Sequence, residues 1–229
     1  MAVNAATALA LTRRPSSMSS PTSITKPIVF VVDDDVSVRE SLELLIAESG
    51  WRPKLFASAE EFLVRPREPV PSCLVLDVGL PNLNGLELQK RVAGRPDLPI
   101  IFITGRGDIP TTVQAMKAGA IEFLTKPFGA EALLSAIHGA IERSRASLAQ
   151  EADLRKLRDC YESLTARERQ VMALVVHGQL NKQVAFELGL SEITVKVHRG
   201  RVMRKMEADS LADLVNMAAS LGDSTPGKP

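Results

Sequence analysis

Cysteine is scarce: the 229 residues hold two, Cys73 and Cys160. Neither stands at metal-ligand spacing, and the simple reading is a reduced, cytoplasmic protein. Long hydrophobic runs are missing as well. None reaches the length that spans a bilayer, so no membrane partner is expected. Residues 5–11 are mostly apolar, yet no basic stretch precedes them and Arg13-Arg14 follow, the wrong order for a signal peptide. Net charge is also lacking, with 28 Lys+Arg against 27 Asp+Glu. That balance hides an asymmetry. Residues 28–126 carry 11 basic against 14 acidic residues, whereas 191–206 carry five basic residues against Glu192 alone. Such a basic stretch suits a polyanion, or it is an ordinary solvated helix face.

What is present begins with carboxylates at the ends of apolar runs. Ile28-Val29-Phe30-Val31-Val32 is followed by Asp33-Asp34-Asp35, and Cys73-Leu74-Val75-Leu76 by Asp77. Short β-branched runs of this kind read as buried strands of a parallel sheet. Ligands of open α/β sheets bind outside the carboxyl ends of strands, so Asp33, Asp34 and Asp77 should meet at one rim. Carboxylates crowded together repel unless a cation holds them, which points to Mg²⁺. Asp35 suits a helix cap better than a ligand.

Strands and helices alternate from residue 28 to about 145. Strands are expected at 28–32, 54–56, 73–76, 100–103 and 121–124. Helices should start after Asp35, at Ser58 (a capping box with Glu61), after Gly85 and running to about Arg95, at Pro110, and near Ala130. Five such units imply a doubly wound, five-stranded parallel sheet. The last helix could continue to Tyr161. Its apolar positions Leu134, Ile137, Ile141, Leu148, Leu154 and Leu157 keep helical spacing only loosely, and a short coiled coil stays open. Beyond Ser163 the chain reads as all-α: a helix capped by Thr165 and Glu168, one over 181–188 closed by Gly189, one from Ser191 to Met206, and one over about 210–221. The turn Gly189-Leu190-Ser191 matches a helix-turn-helix. The expected division is a disordered extension at 1–26, an α/β domain at 27–145, a helical linker at 146–160, a four-helix domain at 161–222 and a disordered tail at 223–229. Met18 is a candidate true start, which mass spectrometry of native protein beginning at residue 1 or 2 would refute.

The strand-end set Val32-Asp33-Asp34, Leu76-Asp77, Ile103-Thr104-Gly105 and Thr125-Lys126-Pro127-Phe128 resembles a response-regulator receiver domain. The stretches Leu164–Gln170, Asn181–Ala185 and Thr194–His198 are similar to the LuxR-type four-helix DNA-binding domain. Together they resemble the NarL/FixJ family, and Ile103–Pro110 favours its FixJ-like branch. The resemblance implies that Asp77 accepts phosphate from a sensor histidine kinase. It makes Asp34 and Asp77 the side-chain ligands of Mg²⁺, gives Gly79 a backbone-carbonyl contact, and has Asp33 hold a metal-bound water. Lys126 would pair with the phosphoryl group, across a cis Lys126-Pro127 bond. Thr104 and Phe123 occupy the switch positions, although Phe123 on its own reads equally as core.

In the helix over 191–206, Val195, His198, Val202 and Met206 are expected to face inward. Lys196, Val197, Gly200, Arg201 and Arg204 then face out, with charge for phosphates and a valine for a thymine methyl. By resemblance, Lys196 and Val197 face the major groove, and Asn181, Lys182, Thr194, Arg199 and Arg201 share phosphate and groove contacts. Gly200 departs from relatives that carry a basic residue there. The implied function is a phosphorylation-dependent transcription regulator, homodimeric when phosphorylated, acting on promoter DNA and RNA polymerase. It is not expected to be an enzyme. A rival, an aspartyl-phosphate phosphatase, wants an aspartate two residues after its nucleophile, where this chain has Gly79. A phosphate-independent DNA-binding protein with a vestigial receiver is the second rival.

Overall fold

The computed structural model describes residues 26–105 and 109–223. The N-terminal extension, the tail and the middle of the 103–110 run lie outside the described residues.

Five parallel strands form one sheet in the order β2-β1-β3-β4-β5. They are β1 (Ile28–Val32), β2 (Arg52–Phe56), β3 (Ser72–Asp77), β4 (Ile100–Thr104) and β5 (Glu122–Thr125). The helices between them are α1 (Val36–Glu48), α2 (Ala59–Leu63), α3 (Gly85–Val92) and α4 (Ile109–Lys117). β1, β3 and β4 are buried throughout, as strands covered by helices on both faces must be. Their side chains still alternate. Phe30, Val32, Leu74, Leu76 and Phe102 pack with Phe62 of α2 and Leu88 of α3. Val29, Val31, Val75, Ile101 and Ile103 pack with Leu42 and Ile46 of α1.

Strand limits differ from the apolar pattern in an informative way. β3 runs on through Asp77 and β4 through Thr104, because the backbone ladder continues where the apolar run stops. β5 lies one residue later than expected. α3 ends at Val92 rather than Arg95: the chain leaves the helix through Gly94, and Arg95 turns to pair with the buried Asp97 at 3.0 Å. Asp35 caps α1, its Oδ1 accepting from the Ser37 N–H at 2.8 Å. Ser58 caps α2, but Glu61 reaches back to the Ala57 N–H rather than to Ser58.

α5 (Ala130–Glu162) is one unbroken helix of 33 residues. Its first half packs on the sheet through Leu133, Ile137, Ala140 and Ile141. Leu133, not Leu134, takes the inward position. The Ser144 hydroxyl, fully buried, donates to the Asp97 carbonyl at 2.5 Å and accepts from the Ser72 N–H at 2.9 Å. Its last turns pack Leu157, Cys160 and Tyr161 against a separate core. The broken periodicity has this cause: the helix changes partner along its length, so no single stripe serves it throughout. Residues 146–160, expected as a linker, are its middle and end.

The second core joins α6 (Ala166–Val176), α7 (Asn181–Leu188), α8 (Glu192–Met206) and α9 (Leu211–Asp223). Val171, Val175, Val184, Val195, Val202 and Met206 form its centre. Gly189 closes α7 at φ +64°, a left-handed position that favours glycine. Thr165 and Glu168 complete the expected capping box at α6. The Glu168 carboxylate also accepts from Lys205 Nζ at 2.7 Å, tying the start of α6 to the end of α8. That hydrogen bond and the Thr165 N–H hold the Glu168 carboxyl down to about 2, against its ordinary 4.5. Its folded-state value is depressed, so the stabilisation is present above the unfolded value and fades as pH falls from about 4.5 towards 2. Glu168→Gln is expected to cost the helical domain about 2 kcal/mol at neutral pH. Urea midpoints measured from pH 7 to pH 3 should show the difference from wild type shrinking below about pH 4.5.

Candidate functional site: a carboxylate pocket and a basic helix

Parallel register decides which side chains meet. Val32 pairs with Leu76, so the next residues, Asp33 and Asp77, emerge side by side. Thr104 pairs with Thr125, and the Lys126 N–H donates to the Thr104 carbonyl at 2.7 Å. Asp33, Asp77, Thr104 and Lys126 thus lie along one edge of the sheet. Carboxylate oxygens of Asp33, Asp34 and Asp77 all come within 4.8 Å of one another. Asp33 is fully buried, Asp77 is 8% exposed, and Asp34 is open to solvent.

Lys126 reaches into this group and donates to Asp33 Oδ2 at 2.6 Å and Asp77 Oδ2 at 3.1 Å. Burial raises the Asp33 carboxyl above its ordinary range, although Lys126 and the Asp35 N–H pull it down. Burial would lower the Lys126 amine, but its hydrogen bonds and charge pairing with Asp33 and Asp77 raise it. Three carboxylates against one ammonium leave an excess of negative charge. Hard oxygens in that balance fit a divalent cation such as Mg²⁺. The Gly79 N–H donates to Asp77 Oδ1 at 3.1 Å. The Lys126-Pro127 bond is cis, as expected.

Thr104 is buried at the end of β4. Phe123 on β5 is half-buried, its ring 6.1 Å from that of Phe102. Beside it, α4 exposes Ile109, Val113 and Met116 to solvent.

Two residues that position the pocket escaped sequence reasoning. Arg39 on α1 donates to the Asp33 carbonyl at 2.7 Å and so pins the turn that presents the aspartates. Gly85 starts α3 directly over the end of β3. A Cβ built there would lie 2.4 Å from the Asp77 carbonyl oxygen and 3.0 Å from the Val78 Cα. Gly85 was read from sequence only as part of a turn, and nothing local reveals that β3 lies beneath it.

In the helical domain, α8 buries Val195, Val202 and Met206 and leaves His198 half-buried. Lys196, Val197, Gly200, Arg201 and Arg204 are exposed on the opposite side. Lys182 on α7 is exposed and Thr194 half-buried. Asn181 and Arg199 meet each other: Arg199 Nη1 donates to Asn181 Oδ1 at 2.7 Å, fixing α7 against α8.

A 2-1-3-4-5 parallel sheet with this pocket, joined by a helix to a four-helix domain with a helix-turn-helix, defines a receiver coupled to a DNA-binding module. The family model for response regulator receiver domains matches residues 29–138, and that for bacterial regulatory proteins of the luxR family matches 162–218. Nodulation protein W of Bradyrhizobium diazoefficiens is 52% identical over 201 residues, covering 87% of this chain and 88% of that protein. Transcriptional regulatory protein FixJ of the same organism is 40% identical over 199 residues, covering 86% and 97%. The solved structure of response regulator StyR matches with a TM-score of 0.75 at 47% identity, over 85% of this chain and 99% of that one. The chain belongs to the NarL/FixJ family of two-component response regulators, transcription regulators built from a receiver and a LuxR-type DNA-binding domain. No helix among the described residues is long and apolar enough to cross a membrane.

Proposed function

We propose that Asp77 is the phosphoacceptor of a phosphorylation-controlled transcription regulator. The observation that carries this is the row Asp33–Lys126–Asp77, in which one ammonium bridges two carboxylates at the strand ends. Asp77 Oδ attacks the phosphorus of a phosphohistidine on a sensor kinase, the P–N bond breaks, and the histidine nitrogen leaves with its electron pair. Asp34, Asp77 and the Gly79 carbonyl would hold Mg²⁺, with Asp33 holding a water bound to it, and the ion would neutralise charge developing on the phosphoryl oxygens. Lys126 keeps its proton and exchanges its bond to Asp77 for one to a phosphoryl oxygen. Thr104 donates its hydroxyl to another, and Phe123 follows inward, reshaping the α4–β5 surface. The exposed Ile109, Val113 and Met116 support dimerisation there. The dimer presents two α8 helices to paired half-sites in promoter DNA, where the protein acts on RNA polymerase. This role places it in the cytoplasm. Phosphate labelling from acetyl phosphate tests the receiver chemistry. Chelation of divalent cations should abolish it, and labelling that persists in chelator would refute the metal assignment.

The DNA contacts fall to Lys196, Val197, Arg201 and Arg204 on α8, joined by Asn181, Lys182, Thr194 and Arg199. The exposed basic stripe supports this reading, since log affinity for DNA falls with log salt in proportion to the phosphates neutralised. Arg204→Ala is expected to weaken binding to all sequences alike and to reduce the salt slope by about one. Fluorescence anisotropy between 50 and 200 mM salt reads this, and an unchanged slope would take Arg204 out of the interface.

A further inference from the structure

α8 carries an apolar residue that its packing does not use. Ile193 is 78% exposed, one residue into the helix. At 3.6 residues per turn it lies opposite the buried Val195, Val202 and Met206. It continues the stripe of Lys196, Val197, Gly200, Arg201 and Arg204 to the N-terminal end of the helix. That stripe is neutral at three positions, Ile193, Val197 and Gly200, and every charge on it is positive. Single exposed apolar residues are common on protein surfaces and need no purpose. Ile193 differs because a second one, Val197, is 48% exposed one turn on, within the same basic stripe.

Two neighbouring polar residues at this end, Ser191 and Thr194, are already engaged. Ser191 caps the helix through the Thr194 N–H at 3.1 Å, and the Ser191 and Thr194 hydroxyls lie 2.8 Å apart. Ile193 is therefore the foremost side chain of the stripe, where recognition helices of this motif meet base edges. A basic surface selects a polyanion, and an apolar side chain within it needs an apolar feature of that polyanion. In the DNA major groove that feature is the thymine C5-methyl group.

We infer that Ile193 is a specificity residue that packs on a thymine methyl in the major groove, paired with Val197 on a second thymine. This rests on α8 being the DNA-reading helix. Four residues of helix advance about 6 Å. Base pairs are stacked about 3.4 Å apart. With the helix running along the groove, the two thymines stand about two base pairs apart in each half-site.

The test uses full-length phosphorylated protein and the duplex it selects from a random-sequence pool. Each thymine of a half-site is replaced singly by uracil, which removes the methyl and keeps the hydrogen-bonding edge. Two thymines about two base pairs apart should each lose about fourfold in wild-type affinity on replacement, the worth of one buried methyl-sized group. Ile193→Ala should be insensitive to uracil at one of them and Val197→Ala at the other, with Ile193→Val keeping part of the first effect. Ile193→Ala responding to every uracil as wild type does, or no thymine responding in wild type, overturns the inference. Lys196→Ala and Arg201→Ala run alongside. Weakened binding in them leaves α8 as the reading helix and confines the failure to Ile193, whereas unaltered binding in both overturns the reading of α8 itself.

Discussion

Asp77→Asn should end labelling by acetyl phosphate and by any cognate kinase while leaving the receiver folded. Asparagine is close to aspartate in shape, so the pocket keeps its packing. What it lacks is the anionic oxygen that attacks phosphorus, and no neighbour can substitute. Asp33 is fully buried with its two oxygens bonded to Lys126 and to the Asp35 N–H, and Asp34 lies two residues beyond the end of β1, open to solvent. The change also removes one of three crowded negative charges, so thermal stability should hold or rise slightly. Genome-wide binding compared with wild type gives the second readout, because the phosphorylation-dependent sites should be lost together. Persistent labelling of Asp77→Asn would sink the phosphoacceptor assignment. Labelling lost with promoter binding unchanged would favour a receiver that no longer governs the DNA-binding domain.

Gly85→Ala is expected to be the most damaging small substitution near the pocket. The added methyl would stand 2.4 Å from the Asp77 carbonyl oxygen, and both that oxygen and the Val78 Cα are backbone, so no flexible side chain can yield. Either α3 lifts off β3, breaking the Gly85 N–H bond to the Val78 carbonyl at 3.2 Å, or the end of β3 moves. Overpacking of this kind costs about 3 kcal/mol. A displacement of about 1 Å in a reacting group can slow a positioned reaction about a hundredfold. The expected result is a lowered melting temperature together with acetyl-phosphate labelling slowed by roughly that factor. Gly139→Ala serves as the control, since a Cβ there meets nothing within 4 Å and alanine favours the helix. Wild-type stability and labelling in Gly85→Ala would show that β3 and α3 can separate at no cost.

Much of this was legible because the chemistry sits at element ends. A strand-end aspartate interrupts an apolar run and is visible in one dimension, as are the caps Asp35, Thr165 and Ser191. The inward face of α8 could be counted from its period. Residues whose role depends on a distant partner were not legible. Ser144 reads as one more serine in a charged helix, yet it bonds to Asp97 and Ser72 in the buried floor of the receiver. The family resemblance gives Arg199 a share of the phosphate and groove contacts, and only the fold reveals that it also bonds to Asn181, 18 residues earlier. Glu168 was seen as a capping residue, and only the packing of α8 on α6 reveals Lys205 as its partner.

The sequence by itself determined the two domains' folds, the order of their elements and the set of residues able to do the chemistry. Hydrophobic period and strand-end polarity are local properties of a chain. Tertiary structure decided what those residues do to one another. Parallel register set Asp33 beside Asp77 and brought Lys126 between them. The pressure of α3 on β3 made Gly85 obligatory. The change of partner along α5, a helix the sequence already allowed to run to Tyr161, decided which of its residues face a core in each half. Each of these depends on distances between segments far apart in the chain, which side-chain periodicity does not encode.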